Sequence, residues 1–222
     1  IEQILRRRLP RLRIVNDASA ALLAEHRFGV LAGANHCAYV TWSTGIGVGL
    51  MVDGRLLRGK AGNAGHAGHW VPASPADDAR LCGCGNRGDL ESICGGAALA
   101  RRWGAPPDEL FRAMRAGDSI ARGLIDSAVD ALSASLYNLI VGLDLERIAV
   151  GGSLFCAQSD WLLPALRERT LDHPARRGMR AMTEGVRIES ISDAGRTAEL
   201  GALCLVLPEA WGRDWAPAGG RP

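Results

Sequence analysis

This 222-residue chain lacks three things: a large excess of charge of either sign, a dense set of cysteines, and a signal peptide or membrane-spanning run. A net charge of +2 gives no basis for a nucleic-acid surface. The arginines from Arg6 to Arg13 are few enough to be one solvated helix end. Six cysteines in a chain able to build its own core do not make a disulfide framework. With no leader or span in view, a reducing cytoplasm is the expected compartment, with no membrane and no nucleic acid as partner. No repeat or low-complexity tract interrupts the pattern.

What is present is a soluble composition, 47% hydrophobic and 23% charged, enough for one substantial core or two smaller ones. The periodicity predicts helix over 2–9, a short strand over 12–15 ending at Asn16-Asp17, and an Ala/Leu-rich helix over 18–26. Strands follow at 37–42 and 46–52, with Ser43-Thr44-Gly45 as the turn between them. Asp53-Gly54 then turns the chain into a return strand at 55–57. Residues 59–69 are too glycine-rich for a regular element, and 72–78 read as a polar loop. Beyond it come helices over 90–103, 107–117 and 119–143, a buried strand at 147–150 entering Gly151-Gly152-Ser153, a helix over 161–171, a strand at 186–190 and a helix over 197–207. The tail after Pro208 is expected to fray.

The densest chemistry lies in His69 and the run Cys82-Gly83-Cys84-Gly85-Asn86-Arg87-Gly88-Asp89-Leu90-Glu91. Thiolate and imidazole are preferred zinc ligands, and structural zinc sites close with four. His69, Cys82 and Cys84 supply three, and the fourth is either Asp89 or Cys94. Cys37, Cys156 and Cys204 adjoin apolar stretches and read as small buried hydrophobes. Three glycine turns after strands, at Ser43 to Gly47, Gly59 to Gly68 and Gly151 to Ser153, could let backbone amides approach a phosphate. Asp17, where a strand meets a helix, is either a helix cap or a general base able to take a proton from an attacking hydroxyl.

Five motifs in order carry a family resemblance: Val15-Asn16-Asp17-Ala18; Ser43-Thr44-Gly45-Ile46-Gly47; Ala64-Gly65-His66-Ala67-Gly68-His69; Cys82-Gly83-Cys84-Gly85 to Glu91; and Val150-Gly151-Gly152-Ser153. The chain resembles the ROK family of sugar kinases and related repressors along nearly its whole length. The resemblance implies an α/β, actin-like, hexokinase-type (ribonuclease H-like) fold of two domains with ATP in the cleft between them. It implies transfer of the γ-phosphoryl group of ATP to a sugar 6-hydroxyl, with Mg²⁺, by a homodimer. Asp17 would be the base; Asn16, His66, His69 and Glu91 would bind the sugar alongside it. Thr44 and Gly45 would face the ATP phosphates and Gly151 and Gly152 would line the adenosine site. His69, Cys82, Cys84 and Asp89 would hold a structural zinc.

Two departures stand beside the sugar. His66 occupies a position where the family commonly has Glu, as in the bacterial N-acetylmannosamine kinases, which makes N-acetylmannosamine the expected substrate, ahead of glucose or N-acetylglucosamine. An imidazole there can donate where a carboxylate only accepts, which would alter how the sugar's substituents are read. Asp89 stands where the third zinc cysteine belongs. The family's Asp-x-Gly-Gly-Thr phosphate loop is absent, and the start at Ile1 suggests that a small domain carrying it lies upstream. On that reading residues 1–15 end the small domain and 16–195 form the larger domain, with the zinc loop at 69–91. Residues 196–208 are a final helix packing back on the small domain, and 209–222 a tail. A sugar-responsive repressor and an inactive remnant are the competing expectations. Asp193-Ala-Gly195-Arg-Thr197 reads as a helix entry.

Overall fold

The computed structural model describes residues 2–9, 12–71, 81–191 and 196–207. After a short helix α1 (Glu2–Arg6), helix α2 (Asp17–Phe28) leads into strand β1 (Cys37–Trp42). Strands β2 (Ile46–Val52) and β3 (Arg55–Leu56) complete a meander, antiparallel throughout. Asp53 and Gly54, with φ of 52° and 68°, form the tight turn of the β2–β3 hairpin, where both central residues need positive φ. A single 3₁₀ turn at Ala67–His69 punctuates the glycine-rich stretch.

The chain then makes a helical excursion through α3 (Leu90–Cys94), α4 (Gly96–Trp103), α5 (Pro107–Arg115) and α6 (Ser119–Leu143), returning as strand β4 (Arg147–Gly151). Helices α7 (Ser153–Ala157), α8 (Ser159–Leu171) and α9 (Arg180–Thr183) precede strand β5 (Arg187–Ser190), and α10 (Thr197–Cys204) closes the described chain. The sheet order is β3-β2-β1-β4-β5, with β4 parallel to both β1 and β5.

The sheet is buried on both faces, which is why its strands read as nearly continuous apolar runs. Ala38, Val40 and Trp42 of β1, with Val48, Leu50, Ile148 and Val150, face a large core formed with α3 to α6 and α8. Cys37 and Tyr39, with Met51 and Ala149, face a smaller core under α2. That alternation is the period-two geometry of a strand. On the α2 side β2 offers glycine: a Cβ on Gly49 would meet the Ala18 carbonyl oxygen at 2.5 Å, so only a bare backbone lets α2 lie this close. Helix α6 is long and apolar enough to cross a membrane by length and composition, yet half of its apolar window is buried. Ile125, Val129, Leu132, Leu136 and Leu139 put one helical face into the large core.

Several expectations need correction. Residues 12–15 form no strand; they run without regular structure into α2. The helix expected over 90–103 is two helices broken at Gly95, whose ψ of 146° is not helical. Tertiary hydrogen bonds explain the break: Gly96 N and Ala97 N donate to the carbonyls of Ser43 (2.8 Å) and Thr44 (2.9 Å), and Trp42 Nε1 donates to Cys94 O (2.7 Å). Helix α7 and the 3₁₀ turn at Pro174–Met179 were not foreseen, and α8 begins two residues before Trp161. Helix α10 packs across α2, where a Cβ on Gly201 would overlap the Ala20 carbonyl. The Asp193 to Gly195 segment, the 72–78 loop and the tail lie outside the described residues.

Candidate active site

Asn16, not Asp17, caps α2. Asn16 has an extended backbone (φ −65°, ψ 152°) and its Oδ1 accepts from Ser19 N at 3.0 Å. Asp17 is therefore the first helical residue, exposed, and among the described residues its Oδ1 accepts only from the neighbouring Ala18 amide at 2.8 Å. The cap role that competed with a chemical one belongs to its neighbour. Asn16 keeps its amide nitrogen as a donor.

Asp17 lines a cavity of about 250 Å³ whose other walls include Asn16, Ser43, Gly45, His66, His69 and Glu91. The sequence-predicted sugar-binding residues thus share one cavity. His66 Nδ1 lies 2.9 Å from the Asn63 carbonyl. A carbonyl can only accept, so Nδ1 carries the proton, and the Nε2 of the neutral ring is an acceptor. With that tautomer the neutral ring offers the cavity an acceptor at Nε2, as the family's carboxylate would.

Behind His69 lies the ligand cluster. One ligand atom each from His69, Cys82, Cys84 and Asp89 lie within 4.8 Å of one another. His69 Nδ1 is 3.0 Å from Asp89 Oδ2 and 3.8 Å from Cys82 Sγ, and Cys84 Sγ is 3.5 Å from the same Asp89 oxygen. Asp89 is fully buried, its other oxygen capping α3 through Ser92 N at 2.9 Å. Burial works to raise its pKa, but the hydrogen bonds from His69 and from the Ser92 amide outweigh it and hold the carboxyl below its usual range. Burial pushes the Cys82 thiol up to about 12, against a backbone hydrogen bond at Cys84. Cys94, the other candidate for the fourth ligand, is turned away and donates to Leu90 O at 3.2 Å. The set fits a tetrahedral Zn²⁺ site in ligand type and number.

A second cavity, of about 440 Å³, opens on the other side of the β1–β2 turn. Ser43 and Thr44 form one wall; Ala97, Ala100, Pro107, Leu154 and Ala157 make the rest mostly apolar, with Asp108 and Ser153 as polar points. Ser43 belongs to both cavities. Of the pair expected at the phosphates, Thr44 lines the larger cavity and Gly45 the smaller. Gly151 and Gly152 are not in either wall. Gly151 packs against Ile191 and the Tyr39 hydroxyl, while Gly152, with φ 95°, turns the chain so that Ser153 and Leu154 reach the cavity. Sequence reasoning missed Ser43, Asp108 and Ser153 as wall residues. Ser43 and Ser153 lay inside quoted motifs, whereas nothing local marks Asp108.

A family model described as the ROK family matches residues 3–209. The chain belongs to the ROK family. It is 34% identical over 190 residues to the glucokinase of Aeropyrum pernix, covering 75% of this chain and 59% of that protein. Over 167 residues it is 34% identical to the N-acetylmannosamine kinase of Haemophilus influenzae, covering 73% and 54%. The crystal structure of a ROK hexokinase from Thermus thermophilus superposes with a TM-score of 0.76 at 31% identity, over 90% of this chain and 66% of that one. The fold is the actin-like, hexokinase-type α/β fold. The chain spans between about half and two thirds of the length of these relatives.

Proposed function

We propose that this chain carries the sugar- and nucleotide-binding part of an ATP-dependent kinase that phosphorylates the 6-hydroxyl of an amino sugar, N-acetylmannosamine. The observation that carries the reading is Asp17: a carboxylate relieved of capping, in one cavity with Asn16, His66, His69 and Glu91, one residue's width from a second, largely apolar cavity. The smaller cavity suits a polyhydroxylated ligand and the larger an adenosine. Their shared wall at Ser43 would set the sugar hydroxyl against the γ-phosphate.

In the reaction, the hydroxyl oxygen bonds to the γ-phosphorus, the bond from phosphorus to the β–γ bridging oxygen breaks, ADP leaves, and the hydroxyl proton passes to Asp17. Its Oδ2 is the oxygen not committed to the Ala18 amide. Catalysis of this kind is positioning and charge stabilisation. Mg²⁺ is expected with the ATP phosphates, where it offsets their charge.

Zinc held by His69, Cys82, Cys84 and Asp89 would brace the loop and do no chemistry. With zinc bound at Nδ1 of His69, Nε2 would keep the ring proton and could donate to a sugar hydroxyl. His66 then accepts and His69 donates, a pair that reads two adjacent hydroxyl or amide groups. What supports N-acetylmannosamine over glucose is the resemblance at His66 to the bacterial N-acetylmannosamine kinases; in overall identity a glucokinase is as similar to the chain as an N-acetylmannosamine kinase. We infer a cytoplasmic homodimer with no nucleic-acid contact from this chain.

The test is ATP turnover by the full-length protein on N-acetylmannosamine, N-acetylglucosamine and glucose, with Asp17→Asn alongside. We expect the highest kcat/KM on N-acetylmannosamine and a loss of at least about a hundredfold in kcat for Asp17→Asn, the usual scale for a general base. Equal turnover in the variant would remove Asp17 from its role. Sugar binding without turnover on any substrate would point to a sugar-responsive repressor.

A further inference from the structure

We propose that Glu91 is a positioning residue for the nucleotide cavity as well as a wall of the sugar cavity, because its carboxylate clasps the turn that the two cavities share; the inference rests on the kinase reading above. Glu91 Oε2 accepts from Ile46 N at 2.9 Å, so one carboxylate oxygen is spent on backbone and not on ligand. The approach is possible only because residue 45 is glycine. A Cβ on Gly45 would stand 2.2 Å from Oε2 and 2.9 Å from the carboxyl carbon, and the three atoms nearest to it all belong to Glu91.

The same two helices grip the turn from its other end. Gly96 N and Ala97 N, at the start of α4, donate to the Ser43 and Thr44 carbonyls, and Ser43 N closes the turn on Gly45 O at 3.0 Å. Glu91 lies in α3, one turn before the break, and its own carbonyl accepts from Gly95 N. The turn is therefore clamped at Ser43 and Thr44 by α4 and at Ile46 by Glu91. Ser43 and Thr44 wall the larger cavity and Ser43, Gly45 and Ile46 the smaller, so releasing the Ile46 end shifts the wall of both. Glu91 then has two separable tasks: Oε2 holds the turn, and Oε1, which accepts from Cys82 Sγ at 3.5 Å, has a second lone pair for a sugar hydroxyl.

The two tasks come apart in variants. Glu91→Gln keeps a side-chain oxygen to accept from Ile46 N but replaces the second oxygen with a donor. Glu91→Ala removes both. Gly45→Ala leaves the carboxylate intact and drives it off the amide. Binding of a non-hydrolysable ATP analogue and of N-acetylmannosamine to the full-length protein is measured by calorimetry, and exchange of the Ile46 amide by NMR, after circular dichroism has shown each variant folded. Gly45→Ala and Glu91→Ala should each weaken the nucleotide by about tenfold, the scale of one lost charged hydrogen bond, and unprotect the Ile46 amide. Glu91→Gln should keep both while losing sugar affinity. Unchanged nucleotide affinity in Gly45→Ala, or a nucleotide loss in Glu91→Gln equal to that in Glu91→Ala, overturns the proposal. If the unaltered protein binds neither ligand, the kinase reading has failed, and the Ile46 amide decides the clasp alone: protection lost in Gly45→Ala upholds it, and protection retained refutes it.

Discussion

Glu146 shows how one side chain can hold a strand entrance. Its Oε1 accepts from Asn35 N at 2.7 Å and from His36 N at 3.2 Å, just before β1, while its own amide and carbonyl tie His36 to Arg187. Partial burial works to raise its pKa, but the two amide hydrogen bonds and the neighbouring Arg147 outweigh it and hold the carboxyl below the usual range. A depressed folded pKa adds stability above the unfolded value, and that stability is lost as pH falls through the folded value. Glu146→Gln should therefore lower the urea midpoint near neutrality, and the gap should close well below pH of about 4, under the ordinary Glu value. A gap that persists in acid would assign the loss to packing. The residue scale also shows why Asp17 was ambiguous in the sequence: Asn and Asp cap helices equally well, so two adjacent cap formers leave the choice to backbone geometry. His66 was ambiguous for a similar reason, since its tautomer is decided by the Asn63 carbonyl, a partner that composition does not single out.

Among the elements, those with strong local periodicity were legible. The bounds of β1, β2 and α6 match the expectation because alternation in two-sided strands and a capped apolar stripe are local signals. The α3–α4 break was not legible, because the groups that end α3 are the Ser43 and Thr44 carbonyls and the Trp42 indole, some fifty positions earlier in the chain. The pairing of α10 with α2 was hidden in the same way, although Gly201 is its trace: the two backbones cross where any side chain would collide with Ala20. Gly201→Ala should cost about 1–3 kcal/mol, the range for forcing extra atoms into a packed contact, read as a lower denaturant midpoint at unchanged slope. An unchanged midpoint would mean that α10 can slide along α2 at no cost.

For the molecule as a whole, the zinc set is the strongest sequence-level signal and the best placed. Its four ligand types were read from spacing and resemblance, and the structure brings all four side chains together. Purified protein should carry one zinc per chain by elemental analysis, and chelation should lower Tm by several degrees, with Asp89→Ala abolishing the metal and Asp89→Cys retaining it. Protein that is metal-free as purified and indifferent to added zinc would make the cluster a hydrogen-bonded loop and nothing more. What the sequence could not convey is that Ser43 stands between two cavities, because that depends on α4, α5 and α7 arriving beside one turn. The sheet order has one more consequence. Strand β4 lies beside β1 through a parallel register that pairs Cys37 with Arg147, yet the glycine-rich segment, the ligand loop and helices α3 to α6 all lie between them in the chain. Loop-closure entropy must be met before that central pairing yields any return, which marks a topology of high contact order. The β1–β4 pairing in the middle of the sheet should therefore be slow to close. An ion that cinches the intervening loop shortens the free chain that has to be closed.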